Sequence, residues 1–297
     1  YKSDNNNIVN LGEITYSMNF TTAIEQKYIT NYNIYLPSIS ETNSELINDI
    51  NSEIDTSTIN DIIKAKCIFF FKCLAEKGSK KCIVYCENTE KLNKMITMMN
   101  KLNEYYYLDF HIDQITNNTS AKSRTKILNN FTESTKIELL FSIRILDECI
   151  DISSCDSIYI TYESSSKIRT IQRICRCIRI DKSNKFKIGK IFIWCSEYAS
   201  ILETLSGIKE YDIMFKNKIS IMANNYKNTI NEKNVIDSDI KLINDYIIGI
   251  KEFKAKNWYE KLEDVKKYID ENNKRPSIID KDKDIKLVPE MLNLLGC

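Results

Sequence analysis

The sequence predicts an α/β fold with a mainly parallel sheet, followed by a helical C-terminal extension. From about residue 56 onwards, short apolar runs alternate with helix-like segments, which is the pattern of βαβ units. The runs IELLF and SIYIT are mainly apolar without a regular polar alternation, as expected for strands that are buried on both faces. Beyond residue 210 the chain is rich in lysine and asparagine and lacks strong strand signals.

The predicted elements follow an order that fits such a sheet. A helix over Thr21–Gln26 and an extended run reaching Pro37 come first, and the polar residues 38–55 indicate a linker or exposed turn. The alternating region comprises helix Thr58–Lys77, strand Lys81–Glu87, helix Asn88–Leu102, strand Tyr106–Ile112, helix Ser120–Phe131, strand Lys136–Ser142, strand Ser157–Thr161, helix Lys167–Ile178 and strand Gly189–Trp194. A helical pattern then continues towards Lys209, and a later amphipathic helix stops at Pro276.

Composition excludes several kinds of site. Only six residues are glycine, and no two lie closer than Gly189 and Gly207, so the chain has neither a Walker A loop nor a dinucleotide-binding glycine motif. His111 is the single histidine and the ten cysteines form no CxxC pair, so we predict reduced packing thiols and no metal site. The balance of 42 basic and 41 acidic residues does not indicate a nucleic-acid or membrane partner, so any basic site must be local.

Arginine is concentrated in one segment. The chain has 35 lysines but only seven arginines, and four of the seven lie between Arg169 and Arg179. The polar residues that share one face of the predicted helix are Arg169, Gln172, Arg173 and Arg176, and Arg179 continues that face. Because arginine offers a planar, permanently charged fork, the pattern favours a set directed at a polyphosphate, where it would stabilise a transferring phosphoryl group. The alternative is a solvated face with salt bridges.

Several segments resemble the motifs of superfamily 2 helicases. QRICRCIR resembles motif VI, usually Q-R-x-G-R-x-x-R, and SIRILDECIDISSCDS resembles motif V, usually V-L-x-E-G-I-D-I-P. KCIVYCENTEKLNKM resembles motif IV, and TSAKSRTKILNNFTES resembles the segment ahead of motif V. The opening LGEITYSMNFTTAIEQKYITNYNI is similar to the exit from the first RecA-like domain of DEAD/DEAH-type helicases, and NWYEKLEDVKKYIDENNKRPS to the start of a helicase-associated domain. Within this superfamily, the segments most resemble the helicases of large DNA viruses.

The resemblance implies a RecA-like sheet and a division into four parts. These are the exit of the first RecA-like domain with a linker (1–45), the second RecA-like domain (46–209), a helical linker (210–256) and a partial helicase-associated domain (257–297). The chain would be the C-terminal part of an ATP-dependent nucleic-acid helicase or translocase, located inside the cell, in the cytoplasm, the nucleus, or a viral factory or virion. Its partners would be DNA or RNA and the missing first RecA-like domain, which would bind most of the ATP and Mg²⁺.

The resemblance also assigns nucleotide-binding residues. Arg176 and Arg179 would be the arginine fingers, with Gln172 and Arg173 supporting nucleotide coupling. Asp151 in motif V would contact the ribose or position the motif VI arginines, although a helix-terminal cap is the alternative role for this residue.

Three further residues are candidates for contact with the nucleic-acid backbone. They are Ser142, Arg144 and Thr89, and Thr89 could instead be the N-cap of a helix over Glu90–Met99.

Three positions depart from the usual motifs. Cys149 in motif V and Cys175 in motif VI replace glycine, and Asp147 replaces the more usual threonine. If the glycines serve close packing or a positive φ, the added Cβ atoms weaken that geometry. A subgroup could instead carry these cysteines as its normal pattern. The departures also keep open a non-catalytic nucleic-acid-binding or adaptor module derived from a helicase; an unrelated nucleotide-binding α/β domain would not explain the spacing of motifs V and VI.

Overall fold

The computed structural model describes residues 18–39, 48, 50–52, 54–143, 152–162, 166–212, 214–222, 239, 241 and 243. The helices in these ranges are α1 (Phe20–Glu25), α2 (Asp61–Lys77), α3 (Thr89–Tyr106), α4 (Ala121–Glu133), α5 (Lys167–Cys177) and α6 (Leu202–Tyr211). The strands are β1 (Tyr32–Pro37), β2 (Lys81–Tyr85), β3 (Phe110–Ile115), β4 (Ile137–Ser142), β5 (Ser157–Ile160), β6 (Gly189–Ile193) and β7 (Ile219–Met222). Short 3-10 turns occupy Tyr198–Ile201 and Phe215–Lys218.

The seven strands form one sheet in the order β3-β4-β2-β5-β6-β1-β7, and all their pairings are parallel. The predicted α/β fold with a parallel sheet is therefore confirmed. The sheet extends beyond the predicted range 46–209 at both ends. β1 pairs with β6 through Tyr32 and Gly189, and with β7 through Ile34 and Ile219.

Local sequence signals explain where the helices begin and end. Asn60, Asn88 and Ser120 cap α2, α3 and α4, because each side chain accepts a hydrogen bond from a backbone N–H of the first turn. Gly78 ends α2 in the left-handed conformation, at φ 60°. Tyr107 takes the corresponding position after α3, at φ 54°, where glycine would be less strained.

The sheet is buried on both faces. α2 and α3 cover one face, where the Phe70 ring stacks on the Tyr159 ring with 4.6 Å between the centroids. The residues that alternate with this set point to the opposite face, where α5 packs on β5, β6 and α6. This burial applies to the centre of the sheet, where β2 and β5 are buried throughout, whereas the edge strand β3 has exposed and partly exposed residues between Phe110 and Ile115. None of the helices in the described ranges combines the length and apolar character that crossing a membrane requires.

One strand was missed by the sequence prediction. The segment after residue 210 was predicted to be helical, but Ile219–Met222 forms β7, which pairs with β1 at one edge of the sheet. An apolar run of four residues is ambiguous on periodicity alone, and here pairing with a distant strand decides its conformation. The rest of the predicted helical extension, including the amphipathic helix that stops at Pro276, lies outside the described residues.

The fully buried carboxylate of Asp212 forms hydrogen bonds with residues of α1, β1 and the 3-10 turn at Phe215–Lys218. Asp212 follows α6 and accepts hydrogen bonds from Tyr32 Oη (2.6 Å), Thr21 Oγ1 (3.1 Å), Met214 N (2.9 Å) and Lys218 Nζ (2.7 Å). Burial by itself raises the pKa of Asp212, but the hydrogen bonds from Lys218 and Tyr32 outweigh it and hold that pKa below its usual value. The ionised form of Asp212 is therefore part of the fold.

Candidate functional site

Helix α5 carries the arginine-rich segment and begins at the carboxyl edge of the sheet, after β5. Ser166 caps it by accepting a hydrogen bond from Arg169 N (3.3 Å). The helix ends at Cys177, one residue earlier than predicted, so Arg179 lies beyond it rather than on its face. Ile178 and Arg179 instead pair with Thr30 and Ile29, which lead into β1. This pairing ends the helix.

The polar side chains of this segment differ widely in exposure. Arg173 is 0% exposed and Arg176 is 6% exposed. Gln172 is exposed, and Arg169 and Arg179 are partly exposed. The shared face predicted from helical spacing is therefore half buried, because α5 presents its arginines partly to the sheet and partly to solvent. The assigned roles of Arg176, Arg179, Gln172 and Arg173 stay predictions.

Arg173 lies between two tyrosine rings. Its guanidinium is 4.6 Å from the centre of the Tyr85 ring and 5.2 Å from that of Tyr162. Nη2 also donates a hydrogen bond to Tyr162 Oη (2.7 Å). Cation–π contacts that are shielded from water contribute about 2 kcal/mol each. Arg173 thus fixes α5 against Tyr85 at the end of β2 and Tyr162 just after β5.

Ser142 lies close to this arginine pocket. It is the last residue of β4 and pairs in register with Tyr85, so the two side chains share the face of the sheet on which α5 packs. Ser142 is fully buried, and its Oγ has no hydrogen-bond partner in the described part of the chain. A buried hydroxyl without a partner is costly, so Ser142 Oγ is an unsatisfied polar atom at the carboxyl edge of the sheet.

Thr89 lies at the same edge but at the start of α3. It is exposed and is the first residue of the helix, whereas Asn88 is the cap, with its Oδ1 accepting from Lys91 N (2.9 Å). The alternative role of Thr89 as N-cap is therefore wrong, because asparagine precedes it. Burial, followed by repulsion from Lys91, lowers the pKa of Lys66. Lys91 is paired with Glu87 and Glu90 directly follows Thr89, so the N-terminus of α3 carries charges of both signs.

The backbone that follows α5 is held from two sides. Ile178 O accepts hydrogen bonds from Thr30 N (2.8 Å) and Thr30 Oγ1 (3.2 Å), and Arg179 forms an antiparallel bridge with Ile29. On the other side, Lys187 Nζ donates to Arg179 O (2.8 Å). The position of the Arg179 Cα is therefore defined even though its side chain is partly exposed.

Gly189 allows β6 to approach the end of α5. A Cβ at this position would lie 2.9 Å from Ile178 Cγ2 and 3.2 Å from Cys177 O. Both separations are shorter than normal contacts, and the second involves backbone that cannot easily move. The absence of a side chain at residue 189 is thus a packing requirement of the arginine segment.

We expect Gly189→Ala to destabilise the fold by about 1–3 kcal/mol, because the new methyl group must displace the end of α5. Gly207→Ala is the matched control: its Cβ would lie 3.3 Å from Lys167 Cβ, a milder contact than the 2.9 Å and 3.2 Å separations at Gly189. Alanine also favours a helix over glycine by about 1 kcal/mol, so the control should be neutral or stabilising. Urea unfolding measures both, and equal stability of the two variants would contradict the packing argument.

Cys175 occupies the motif VI position where glycine is usual. Non-glycine residues with a positive φ in the described ranges are Lys27, Tyr107 and Asp109. Cys175 is not among them, so the backbone at this position does not require glycine. Burial raises the pKa of the Cys175 thiol, against the opposing effect of Arg176 and Arg179.

Some predicted residues lie outside the described ranges. They are Arg144, Asp147, Cys149 and Asp151, all in the motif V segment. The structure in turn adds Tyr85, Tyr162, Lys187 and Gly189, which the sequence did not single out. In the sequence, these residues are distinguished only by their position near a buried strand or after the arginine helix. Their contacts depend on the sheet register, which the sequence does not show.

Comparison with known proteins agrees with this architecture. Residues 65–181 match the sequence model of the helicase conserved C-terminal domain. No curated protein sequence matches at a significant level. The fold is similar to that of the ATP-dependent type ISP restriction-modification enzyme LlaBIII bound to DNA, with a TM-score of 0.63 and 14% identity over 78% of this chain and 18% of that one.

Two further solved structures give weaker similarity. A fragment of a putative HsdR subunit of a type I restriction enzyme from Vibrio vulnificus YJ016 has a TM-score of 0.48 and 14% identity, over 72% of this chain and 40% of that one. S. cerevisiae Dbp5 bound to RNA and ADP BeF3 has a TM-score of 0.44 and 12% identity, over 72% of this chain and 45% of that one. The chain spans less than a fifth of LlaBIII. In this chain, residues 65–181 are therefore similar in sequence to helicase C-terminal domains, and the sheet that contains them has a RecA-like α/β fold.

Proposed function

We propose that this chain is the C-terminal part of an ATP-dependent nucleic-acid helicase or translocase. The observation that carries the proposal is that the match to the helicase conserved C-terminal domain, residues 65–181, includes both strand β2 with its helix and the whole arginine helix α5. An upstream RecA-like domain would bind ATP and Mg²⁺. Arg179, and with it Arg176, would stabilise the charge that develops on the transferred phosphoryl group.

The residues present suit a phosphate ligand. Arginine offers several donors in a rigid fork and stays charged at any physiological pH, as a polyphosphate-binding group must. Arg179 is partly exposed at a fixed backbone position, so a ligand held by another domain can approach it. ATP with Mg²⁺ supplies the phosphoryl group to be transferred, and this chain contributes charge stabilisation and orientation.

The carboxyl edge of the sheet would form part of the nucleic-acid track. Thr89 is exposed at the start of α3, and Ser142 ends strand β4, which pairs with β2. Together with Arg144 these side chains suit contact with phosphate oxygens of DNA or RNA. Binding through phosphates is independent of sequence and weakens steeply with salt.

The experiment compares this chain with the same chain joined to the segment encoded immediately before it. We expect no ATP hydrolysis by the chain alone, and hydrolysis stimulated by single-stranded nucleic acid in the longer protein. Hydrolysis by the chain alone at a rate insensitive to changes at Arg176 and Arg179 would contradict the proposal. Nucleic-acid binding by a longer protein that lacks ATPase activity would support the adaptor function instead.

A further inference from the structure

A buried lysine joins the two chain segments that flank the arginine site. Lys187 lies between α5 and β6 and is 6% exposed. Its Nζ donates hydrogen bonds to Ser153 O (2.7 Å) and Arg179 O (2.8 Å). Ser153 lies within the motif V segment and Arg179 ends motif VI, so a single ammonium group links the backbones of both motifs.

The surroundings of Lys187 are those of a structural cation. Burial lowers the pKa of Lys187, while the nearby thiols of Cys155 and Cys177 and the carboxylates of Asp181 and Asp156 act in the opposite direction. Lysine is seldom buried unless its ammonium group has partners. Here the two partners are backbone carbonyls of the motif V and motif VI segments, which indicates a role in holding these segments at a set separation.

We propose that Lys187 is a positioning residue: it fixes the Arg179 backbone relative to the loop at Ser153 and so directs the Arg179 side chain towards the nucleotide. This inference rests on the proposed function, because it assigns Lys187 to the same arginine site. Thr30 holds the adjacent Ile178 carbonyl from the opposite side, so the Lys187 contact completes a two-sided support. Preorganised charge is effective in catalysis because it needs no rearrangement during the reaction.

The test measures the nucleic-acid-stimulated ATPase activity of the complete protein. Each rate is divided by the concentration of folded protein. Lys187→Met retains the length of the side chain and removes the donor. We expect it to lower kcat on the order of 10- to 100-fold, since a displacement of about 1 Å far from the reaction can have such effects. The KM for ATP should change less than about threefold, because ground-state binding is supplied elsewhere. Lys187→Arg, which retains a cation and donors for both carbonyls, should restore most of the activity.

Lys185→Met is the matched control. Lys185 lies in the same loop, is exposed, and is outside the proposed site. Its replacement should leave kcat within about twofold of the parent protein, as is usual for a surface change. If Lys185→Met and Lys187→Met lower kcat equally, the positioning role is wrong.

A double-mutant cycle separates positioning from stability. If Lys187 acts through Arg179, Lys187→Met should have little further effect on kcat once Arg179 is lysine. A residue that only stabilises the fold would reduce activity by the same factor in both backgrounds. That outcome, or a loss explained entirely by the unfolded fraction, would overturn the inference. Should Lys187→Met not fold, Lys187→Gln, which retains one amide donor group, takes its place in the same cycle.

The single variants distinguish the two possible failures. If Arg179→Lys leaves turnover unchanged, the proposed function fails and this inference fails with it. If Arg179→Lys lowers turnover but Lys187→Met does not, the arginine role stands and only the positioning role is overturned. Hydrogen exchange at residues 178–180 adds a readout besides activity, and we expect faster exchange in Lys187→Met than in Lys185→Met.

Discussion

In the complete enzyme, Arg179→Lys is expected to lower the turnover number for ATP on the order of 1000-fold, while the KM for ATP changes less than about threefold. Lysine retains the charge but loses the planar fork that can contact two phosphate oxygens at once. The effect should therefore fall on the transition state, where charge spreads over the transferred phosphoryl group. Steady-state hydrolysis at saturating nucleic acid measures both constants.

Arg179 is a cleaner test than its neighbour in motif VI. Arg176 is 6% exposed, so replacing it also disturbs packing between α5 and the sheet, and turnover and stability would change together. Arg179 lies beyond the helix, with its side chain partly exposed and its backbone held by Ile29 and Lys187. A substitution there changes the charge geometry with little effect on the core.

Arg169→Lys is the control for this prediction. Arg169 lies in the first turn of the same helix and is also partly exposed, but it is remote from the helix end. Its change should alter turnover less than about threefold, as expected for a surface position. If Arg179→Lys raised KM as much as it lowered kcat/KM, with kcat unchanged, Arg179 would be a ground-state binding residue rather than a finger.

Asp212→Asn is expected to destabilise the fold by about 3–5 kcal/mol, because it leaves the Lys218 ammonium without its counter-charge in a buried site. Asp212 is fully buried, and the side chain of Lys218 is 13% exposed. The asparagine NH₂ group would also face donors from Tyr32 and Thr21 that now point at a carboxylate. Urea unfolding followed by circular dichroism measures the loss.

Asp109→Asn provides the matched control for Asp212→Asn. Asp109 pairs with Lys136, but their side chains are 76% and 60% exposed, so removing the charge should cost less than about 1 kcal/mol. Adding Lys218→Met to Asp212→Asn should recover part of the lost stability, since the unpaired ammonium is then gone. If the losses of unfolding free energy from Asp212→Asn and Lys218→Met simply add in the double variant, the two side chains are not energetically coupled.

The same carboxylate makes stability depend on pH in a defined direction. The pKa of Asp212 is lower in the folded chain than its usual value of about 3.9. Its contribution is therefore complete above that usual value and is lost as the pH falls through the folded-state pKa. We expect the acid side of the stability profile to be flatter in Asp212→Asn than in the parent protein.

Much of the fold could be predicted from local patterns. The strands β2, β4, β5 and β6 were located because continuous apolar runs such as IELLF are rare outside strands buried on both faces. Helix starts were located to within a few residues through residues such as Ser120. β7 was missed because its conformation is decided by pairing with a strand far away in sequence, which no local window contains.

The site could be predicted only in part for the same physical reason. The concentration of arginine against a lysine background identified α5, but helical spacing could not show which side meets the sheet. Arg173 and Arg179 look alike in the sequence, yet one is enclosed by Tyr85 and Tyr162 and the other is partly exposed. Lys187 is one lysine among 35, and its two carbonyl partners become visible only in three dimensions.

The place of β1 inside the sheet determines when the domain can fold during synthesis. Its residue Tyr32 pairs with Gly189 and its residue Ile34 pairs with Ile219, so both neighbours emerge from the ribosome long after β1 itself. At about 5–20 residues per second, β1 remains without partners for on the order of ten seconds or longer. Its apolar residues are exposed throughout that interval, and nascent chains of this protein are expected to need chaperone protection until β7 has been synthesised.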